Sequence, residues 1–320
     1  MSYRVVFLDR ETVPAHIQLR APDFDHQWQD YPLTTAEDVV EKARDADVIV
    51  TNKVVITKAM IEQLPKLKNI ALIATGYNNI DIDACKAKKI GVSNTRGYAN
   101  ISVPEHTIAL MFTLSRHILA YQYSVRDGHW QKSPFFHGYL APTQDLASSQ
   151  LGLIGSGRLG EGTAKIARAL GMRVVYADRK GGKPSGRKDY LPFEQVIEES
   201  DIISLHCPLT DETRNLISLA EMKTMKDTAL LINTTRGGLI NEQDLVTAIT
   251  ENIIAGVGLD VVEHEPIRDD NPLLGIIEKP NVIIMPHIAW TSDQAMQIQA
   301  EQLIGNIEAF AKKKKANRVV

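Results

Sequence analysis

The sequence predicts an α/β protein built from two parallel-sheet domains, and three observations predict it. Apolar strand-like runs alternate with helical patterns along the chain, the signature of parallel sheets covered by helices. In mid-chain one such run, Leu151-Gly152-Leu153-Ile154, breaks into Gly155-Ser156-Gly157-Arg158-Leu159-Gly160 and continues as a helical pattern through Leu170. At 320 residues there is room for two substantial cores.

Hydrophobic residues at 44% and charged residues at 23% are ordinary for a globular chain, which disfavours both disorder and a membrane-embedded protein. A formal charge of −3 gives no global attraction for nucleic acid or acidic membrane, so any anion selectivity must come from local groups. The two cysteines, Cys85 and Cys207, lie far apart in no metal-like spacing. They fit a reducing cytoplasm, with neither a disulfide framework nor a metal centre. Residues 1–9 carry no long apolar region behind a basic start and read as a first strand, not a signal peptide. No stretch approaches the roughly 20 apolar residues of a membrane span.

Taken in order, the expected strands of the first hundred residues are 4–8, 47–51, 70–74 and 91–94, with helices over 35–44 and 58–64 between them. That alternation predicts a small flavodoxin-like unit, while 10–34, rich in Pro, Asp and aromatics, reads only as loop and short helix. The turn from Ala74 through Gly76 and Tyr77 to Asn79 follows the third strand at its carboxyl end, where ligands of open α/β sheets bind. Backbone N–H groups beside Gly76 would suit a carboxylate; a plain turn with Asn caps is the alternative.

A single long helix is expected over 103–125, opened by Ser102 as N-cap with Pro104 and Glu105 in its first turn. Its apolar content marks it as the start of the second domain and a subunit contact. Trp130, Phe135, Phe136 and Tyr139 then form an aromatic cluster that reads as a packed loop or as an arm reaching another subunit. Six strands follow, at 151–155, 173–177, 201–205, 229–233, 254–258 and 282–285, the count of a full doubly wound Rossmann sheet. A C-terminal helix over 291–312 is left to pack elsewhere, and Lys312 to Lys315 read as its solvated end.

Within the Gly-x-Gly-x-x-Gly turn, Gly155 permits a sharp bend, Gly157 lets backbone N–H groups approach a pyrophosphate, and Gly160 permits close helix–strand packing. Asp178 ends the next strand eighteen residues after Gly160, placed to bind ribose hydroxyls and to repel a 2′-phosphate. This favours NAD over NADP, although Arg179 is a guanidinium able to receive such a phosphate. Reactive side chains also finish the later strands: Arg236 after the fourth, Asp260 and Glu265 after the fifth, His287 after the last. Reducing a 2-oxo acid needs a cation to orient the carboxylate and an acid to protonate the oxygen as hydride arrives. Arg236 suits the first role, and His287, steadied by Glu265, the second.

These stretches, with His206-Cys207-Pro208-Leu209-Thr210 and Pro286-His287-Ile288-Ala289-Trp290, resemble in order and spacing the D-isomer-specific 2-hydroxyacid dehydrogenase family over nearly the whole chain. The resemblance implies that Arg236, Glu265 and His287 are catalytic and that Asp260 binds the nicotinamide carboxamide. It also implies that the backbone around Cys207, Pro208 and Thr234 joins Gly155, Ser156, Gly157, Arg158, Leu159, Gly160 and Asp178 in holding NAD. Gly76, Tyr77, Arg236 and His287 would bind the substrate. A Rossmann cofactor domain over 100–288 is expected to be inserted in a flavodoxin-like substrate domain of 1–99 and 289–320, in a homodimer built around the 103–125 helix. Trp290 after Ala289 resembles the branch acting on hydroxypyruvate and D-glycerate. The phosphoglycerate branch carries arginines at positions that correspond to Thr51 and Leu72, where phosphate would find little charge. Reduction of D-lactate's oxo acid, of glyoxylate or of a broad set of 2-oxo acids is the nearest alternative. An NAD-sensing, corepressor-like binding protein is disfavoured by the intact trio.

Overall fold

A computed structural model describes residues 2–320 and divides the chain into two units, Met1–Ala99 with Thr291–Val320, and Asn100–Trp290. The second junction falls two residues beyond the expected 288/289 boundary, which leaves Ala289 and Trp290 with the His287 segment.

In the first unit the strands are β1 (Tyr3–Phe7), β2 (His26–Asp30), β3 (Val48–Thr51), β4 (Asn69–Leu72) and β5 (Gly91–Ser93). They pair in parallel in the order β2-β1-β3-β4-β5, the flavodoxin-like arrangement. Every residue of β3 and β4 is buried, as a strand covered on both faces requires. The strand β2 corrects the reading of 10–34 as loop and short helix. Its sequence, His-Gln-Trp-Gln-Asp, is polar because it lies at the sheet's edge and stays half exposed, so no apolar run announces it. The helices are short: α1 (Val39–Ala43), α2 (Lys58–Glu62) and α3 (Ile82–Lys88), the last capped by Asp81 accepting from Ala84 N at 2.9 Å. The C-terminal helix, Asp293–Ala311, buries Leu303, Ile304 and Ile307 in this unit and donates from Gln299 Nε2 to Ile73 O at 2.8 Å.

The second unit opens with α4 (Ser102–Ser115) and α5 (Ile118–Arg126), not with one helix over 103–125. The break sits at His117, in the left-handed region at φ 50°. A returning segment claims the groups at the helix end: Gln144 N donates to Ser115 O at 3.1 Å, Arg116 pairs with Asp145 at 2.9 Å, and the His117 ring meets Pro142 O. Ser102 lies inside α4 and does not cap it; Ile101 is the residue before the helix. The remaining elements are β6 (Gln150–Ile154), α6 (Arg158–Ala169), β7 (Arg173–Ala177), β8 (Tyr190–Leu191), α7 (Phe193–Glu199), β9 (Ile202–Leu205), α8 (Leu219–Thr224), β10 (Leu230–Asn233), α9 (Glu242–Thr250), β11 (Gly256–Leu259) and β12 (Val282–Ile284).

These strands form one parallel sheet in the order β12-β11-β10-β9-β6-β7-β8. The doubly wound order is present, with seven strands where six were expected. The addition is β8, two residues long and paired only with β7, too short to carry an apolar pattern. Buried leucine, isoleucine and valine on both faces, among them Leu153, Ile203, Ile232 and Val257, hold the layers together.

Candidate active site

The parallel sheet brings the carboxyl ends of β6, β7, β9, β10, β11 and β12 to one edge, and the reactive residues of the second unit follow those ends. At Gly155 the chain turns with φ 112°, a conformation L side chains rarely adopt. A Cβ at Gly160 would lie 2.3 Å from Gly155 O, so only glycine allows α6 to start that close to the strand. A Cβ at Gly157 would meet nothing within 4 Å. No side chain caps the first-turn amides of α6. Open space before uncapped N–H groups at the positive helix end fits a pyrophosphate.

Asp178, one residue past β7, is 9% exposed and accepts from Ser185 N at 3.1 Å, leaving carboxylate capacity for ribose hydroxyls. The segment after β9 lies against the glycine turn: His206 N donates to Ile154 O at 2.8 Å, and a Cβ at Gly155 would come 2.7 Å from Cys207 N. Burial pushes the Cys207 thiol up to about 11, which keeps it protonated, so this position offers backbone and not a thiolate. Thr234 is buried after β10 and shares a 3.1 Å hydrogen bond with Thr107 of α4.

Burial also pushes the His206 imidazole down to about 4, with Nε2 held by Ser204 Oγ at 2.9 Å. Unfolded, the ring titrates near 6.5. Below that pH the unfolded chain takes a proton that the folded one refuses. Stability is therefore lost as pH falls from 6.5 to about 4 and is flat below, a loss on the order of 3 kcal/mol. Urea unfolding across this window should give a shallower pH slope for His206→Gln than for the wild type; equal slopes would assign the acid sensitivity to another group.

A short polar contact at this edge joins His287 and Glu265. His287 Nδ1 meets Glu265 Oε2 at 2.6 Å, while Glu265 Oε1 accepts from Val262 N at 3.2 Å. With Nδ1–H donated to the carboxylate, Nε2 is the ring nitrogen left for proton exchange. Both side chains are about one-third exposed, which allows a substrate to reach them. Asp260, one residue past β11, is 1% exposed and accepts from Ile288 N at 2.8 Å and Ala289 N at 2.9 Å.

Arg236 stands three residues beyond β10, exposed, with Nη1 donating to Thr235 O at 2.6 Å. Asn233 Nδ2 holds the turn by donating to Arg236 O at 2.8 Å. The next residue, Gly237, lies so close to the Val262–Glu263 backbone that a Cβ there would be 1.9 Å from Val262 C. The turn carrying Arg236 and the loop carrying Glu265 therefore touch.

In the unit formed by 1–99 and 291–320, Gly76 and Tyr77 lie in the turn after β4, with Tyr77 44% exposed. Thr51 and Leu72 are fully buried strand residues, so neither reports the charge that a ligand would meet. The exposed cation of that strand end is Lys53. Sequence reasoning missed Asp9, 1% exposed after β1, whose carboxylate accepts from Asn52 N at 2.9 Å, Lys53 N at 2.7 Å and Thr51 Oγ1 at 3.2 Å. The signal was present: Asp9, like Asp178 and Asp260, is an aspartate closing an apolar strand. Val54 O accepts from Asn79 Nδ2 at 2.9 Å, which ties this loop to the Gly76–Tyr77 turn.

Among the described residues no group of three His, Cys, Asp or Glu side chains is spaced to hold a metal ion. Residues 108–289 match the family described as D-isomer specific 2-hydroxyacid dehydrogenase, NAD binding domain. The chain is 44% identical to a glycerate dehydrogenase of Methylorubrum extorquens, over 100% of this chain and 99% of that protein. It is 36% identical to a hydroxypyruvate reductase of Blautia hydrogenotrophica, over 90% and 89% of the two chains. Among solved structures it is similar to D-lactate dehydrogenase from Aquifex aeolicus complexed with NAD and lactic acid: TM-score 0.80, 29% identity, and 97% and 96% of the chains covered.

Proposed function

Because this chain belongs to the D-isomer-specific 2-hydroxyacid dehydrogenases and carries their NAD-binding domain, we propose that it reduces hydroxypyruvate to D-glycerate and catalyses the reverse reaction. It is an NAD-dependent enzyme of that family; the substrate and the residue roles are our reading. The observation that carries the reading is the 2.6 Å pair of His287 Nδ1 and Glu265 Oε2, on the same sheet edge as Arg236 and the glycine turn.

Gly155, Ser156, Gly157, Arg158, Leu159 and Gly160 hold the pyrophosphate, Asp178 the ribose, and the backbone at Cys207, Pro208 and Thr234 with Asp260 the nicotinamide end. Bound NADH supplies the hydride. Arg236 orients the substrate carboxylate and polarises its carbonyl, since a planar guanidinium matches two oxygens at once. His287 gives the proton from Nε2 to the oxygen that gains charge, and Glu265 holds the ring through Nδ1. Backbone N–H groups at Gly76 and Tyr77 bind the substrate carboxylate. The identities to a glycerate dehydrogenase and a hydroxypyruvate reductase support the choice of oxo acid.

The chain acts as a homodimer. Exposed Phe135, Phe136 and Tyr139, with Phe136 92% exposed, give α5 and the loop after it an apolar surface suited to a second copy. A cytoplasmic setting suits the two free cysteines, Cys85 and Cys207; among the described residues no helix is long and apolar enough to cross a membrane.

Steady-state assays of hydroxypyruvate, glyoxylate and pyruvate with NADH and with NADPH test the reading. Hydroxypyruvate with NADH should give the highest kcat/KM of the panel. Faster turnover of another oxo acid, with hydroxypyruvate inert, would remove the glycerate assignment.

A further inference from the structure

The backbone at His287 is unusual. At φ 55° it occupies the left-handed region, rare for a residue with a side chain, and its N–H turns back to Met285 O at 3.0 Å. Such a conformation persists where the surroundings over-determine it. Immediately beyond it, the amides of Ile288 and Ala289 both donate to the carboxylate of Asp260, one to each oxygen, at 2.8 and 2.9 Å. A carboxylate that is 1% exposed needs such donors to offset its lost hydration. The nearby His106 Nε2, at 3.6 Å from Oδ1, is outside hydrogen-bond reach.

We propose that Asp260 is a positioning residue for proton transfer: by clamping the two amides after His287 it fixes the left-handed backbone from which the imidazole reaches Glu265. Glu265 bonds one ring nitrogen and sets the ring's rotation. The direction of the Cα–Cβ bond, and with it the place where Nε2 arrives, is set by the backbone that Asp260 holds. This rests on the reading of His287 as the acid, and it differs from a role in holding the carboxamide of the cofactor. Each carboxylate oxygen keeps a second lone pair, so the two roles are compatible and must be separated by measurement.

Asp260→Asn keeps the shape but turns an NH₂ group toward one backbone N–H, which opens half of the clamp. Single-turnover oxidation of NADH by hydroxypyruvate is compared for wild type, D260N, H287Q and D260N/H287Q, with NADH affinity read by fluorescence titration. With NADH saturating, D260N should slow the chemical step roughly 10²-fold, a loss separate from any weakening of NADH binding that the titration reads, and slow H287Q no further. If the two losses multiply in the double variant, or if the D260N loss lies wholly in NADH affinity, the positioning role is overturned while His287 keeps its own. An unimpaired H287Q overturns both readings. Should D260N fail to fold, hydrogen exchange on the wild-type holoenzyme still decides: protected Ile288 and Ala289 amides support the clamp, and exchange at open-loop rates overturns it.

Discussion

His287→Ala should lower kcat for hydroxypyruvate by on the order of 10²–10⁴-fold, the range expected when a positioned acid is removed from a proton transfer. In the proposed mechanism the loss should fall on kcat more than on KM, because there Arg236 still orients the substrate and the group removed acts on charge that develops only as the carbonyl is reduced. Binding of NADH is spared, since the glycine turn and Asp178 belong to strands on the other side of the sheet's centre. The fold is spared too: the His287 side chain is 30% exposed and its ring has Glu265 as a partner, not the core. Glu265→Gln keeps the imidazole and an oxygen able to accept from Nδ1, so it should be milder than His287→Ala. Stopped-flow traces with NADH in excess read the step directly. Unchanged rates for His287→Ala would mean that the proton comes from another group, and the 2.6 Å pair would then be an ordinary surface contact.

How much of this was legible in the sequence follows from what each element needed. The central strands announced themselves because a parallel sheet covered on both faces must be apolar throughout, as Val48-Ile49-Val50 and Leu230-Leu231-Ile232 are. Edges did not: β2 is polar and β8 is two residues long, and nothing local separates either from loop. The glycine turn was readable because its three glycines each satisfy a separate steric demand. The break at His117 was not, because its cause is the returning segment 142–145 taking the groups at the end of α4, a tertiary contact with no trace in the helical pattern. The same divide runs through the site. Arg236, Asp260 and His287 stood out as reactive residues at strand ends, but the partner of Asp260 is backbone. No pattern of side chains announces that a carboxylate will hold Ile288 N and Ala289 N. Asp9 closes an apolar strand as Asp260 does, but what its carboxylate holds was equally illegible, its donors being two amides and a threonine hydroxyl.

Gly237→Ala should disable the enzyme through packing alone. The added methyl would sit 1.9 Å from Val262 C and 2.2 Å from Glu263 N, distances at which backbone atoms must move. Neither side can give way easily. Arg236, just before it, is tied by its carbonyl to Asn233, and the facing loop is held by Glu263 N donating to Glu242 Oε1 at 2.6 Å and by Val262 N donating to Glu265 Oε1. Overpacking of this kind costs about 1–3 kcal/mol, so the variant should melt earlier yet remain folded at room temperature. The larger effect is catalytic. Pushing the two backbones apart shifts the turn that carries Arg236 relative to the loop that carries Glu265, and a misplacement of about 1 Å can cost on the order of 10²-fold in rate. A mutated glycine with no functional group of its own would then depress kcat/KM nearly as far as loss of a catalytic side chain, with NADH affinity little changed. The comparison to make is kcat/KM for hydroxypyruvate and NADH affinity in Gly237→Ala against Gly275→Ala, where a Cβ would meet nothing within 4 Å. Equal activity in the two variants would show that the close approach of these two loops is incidental to catalysis.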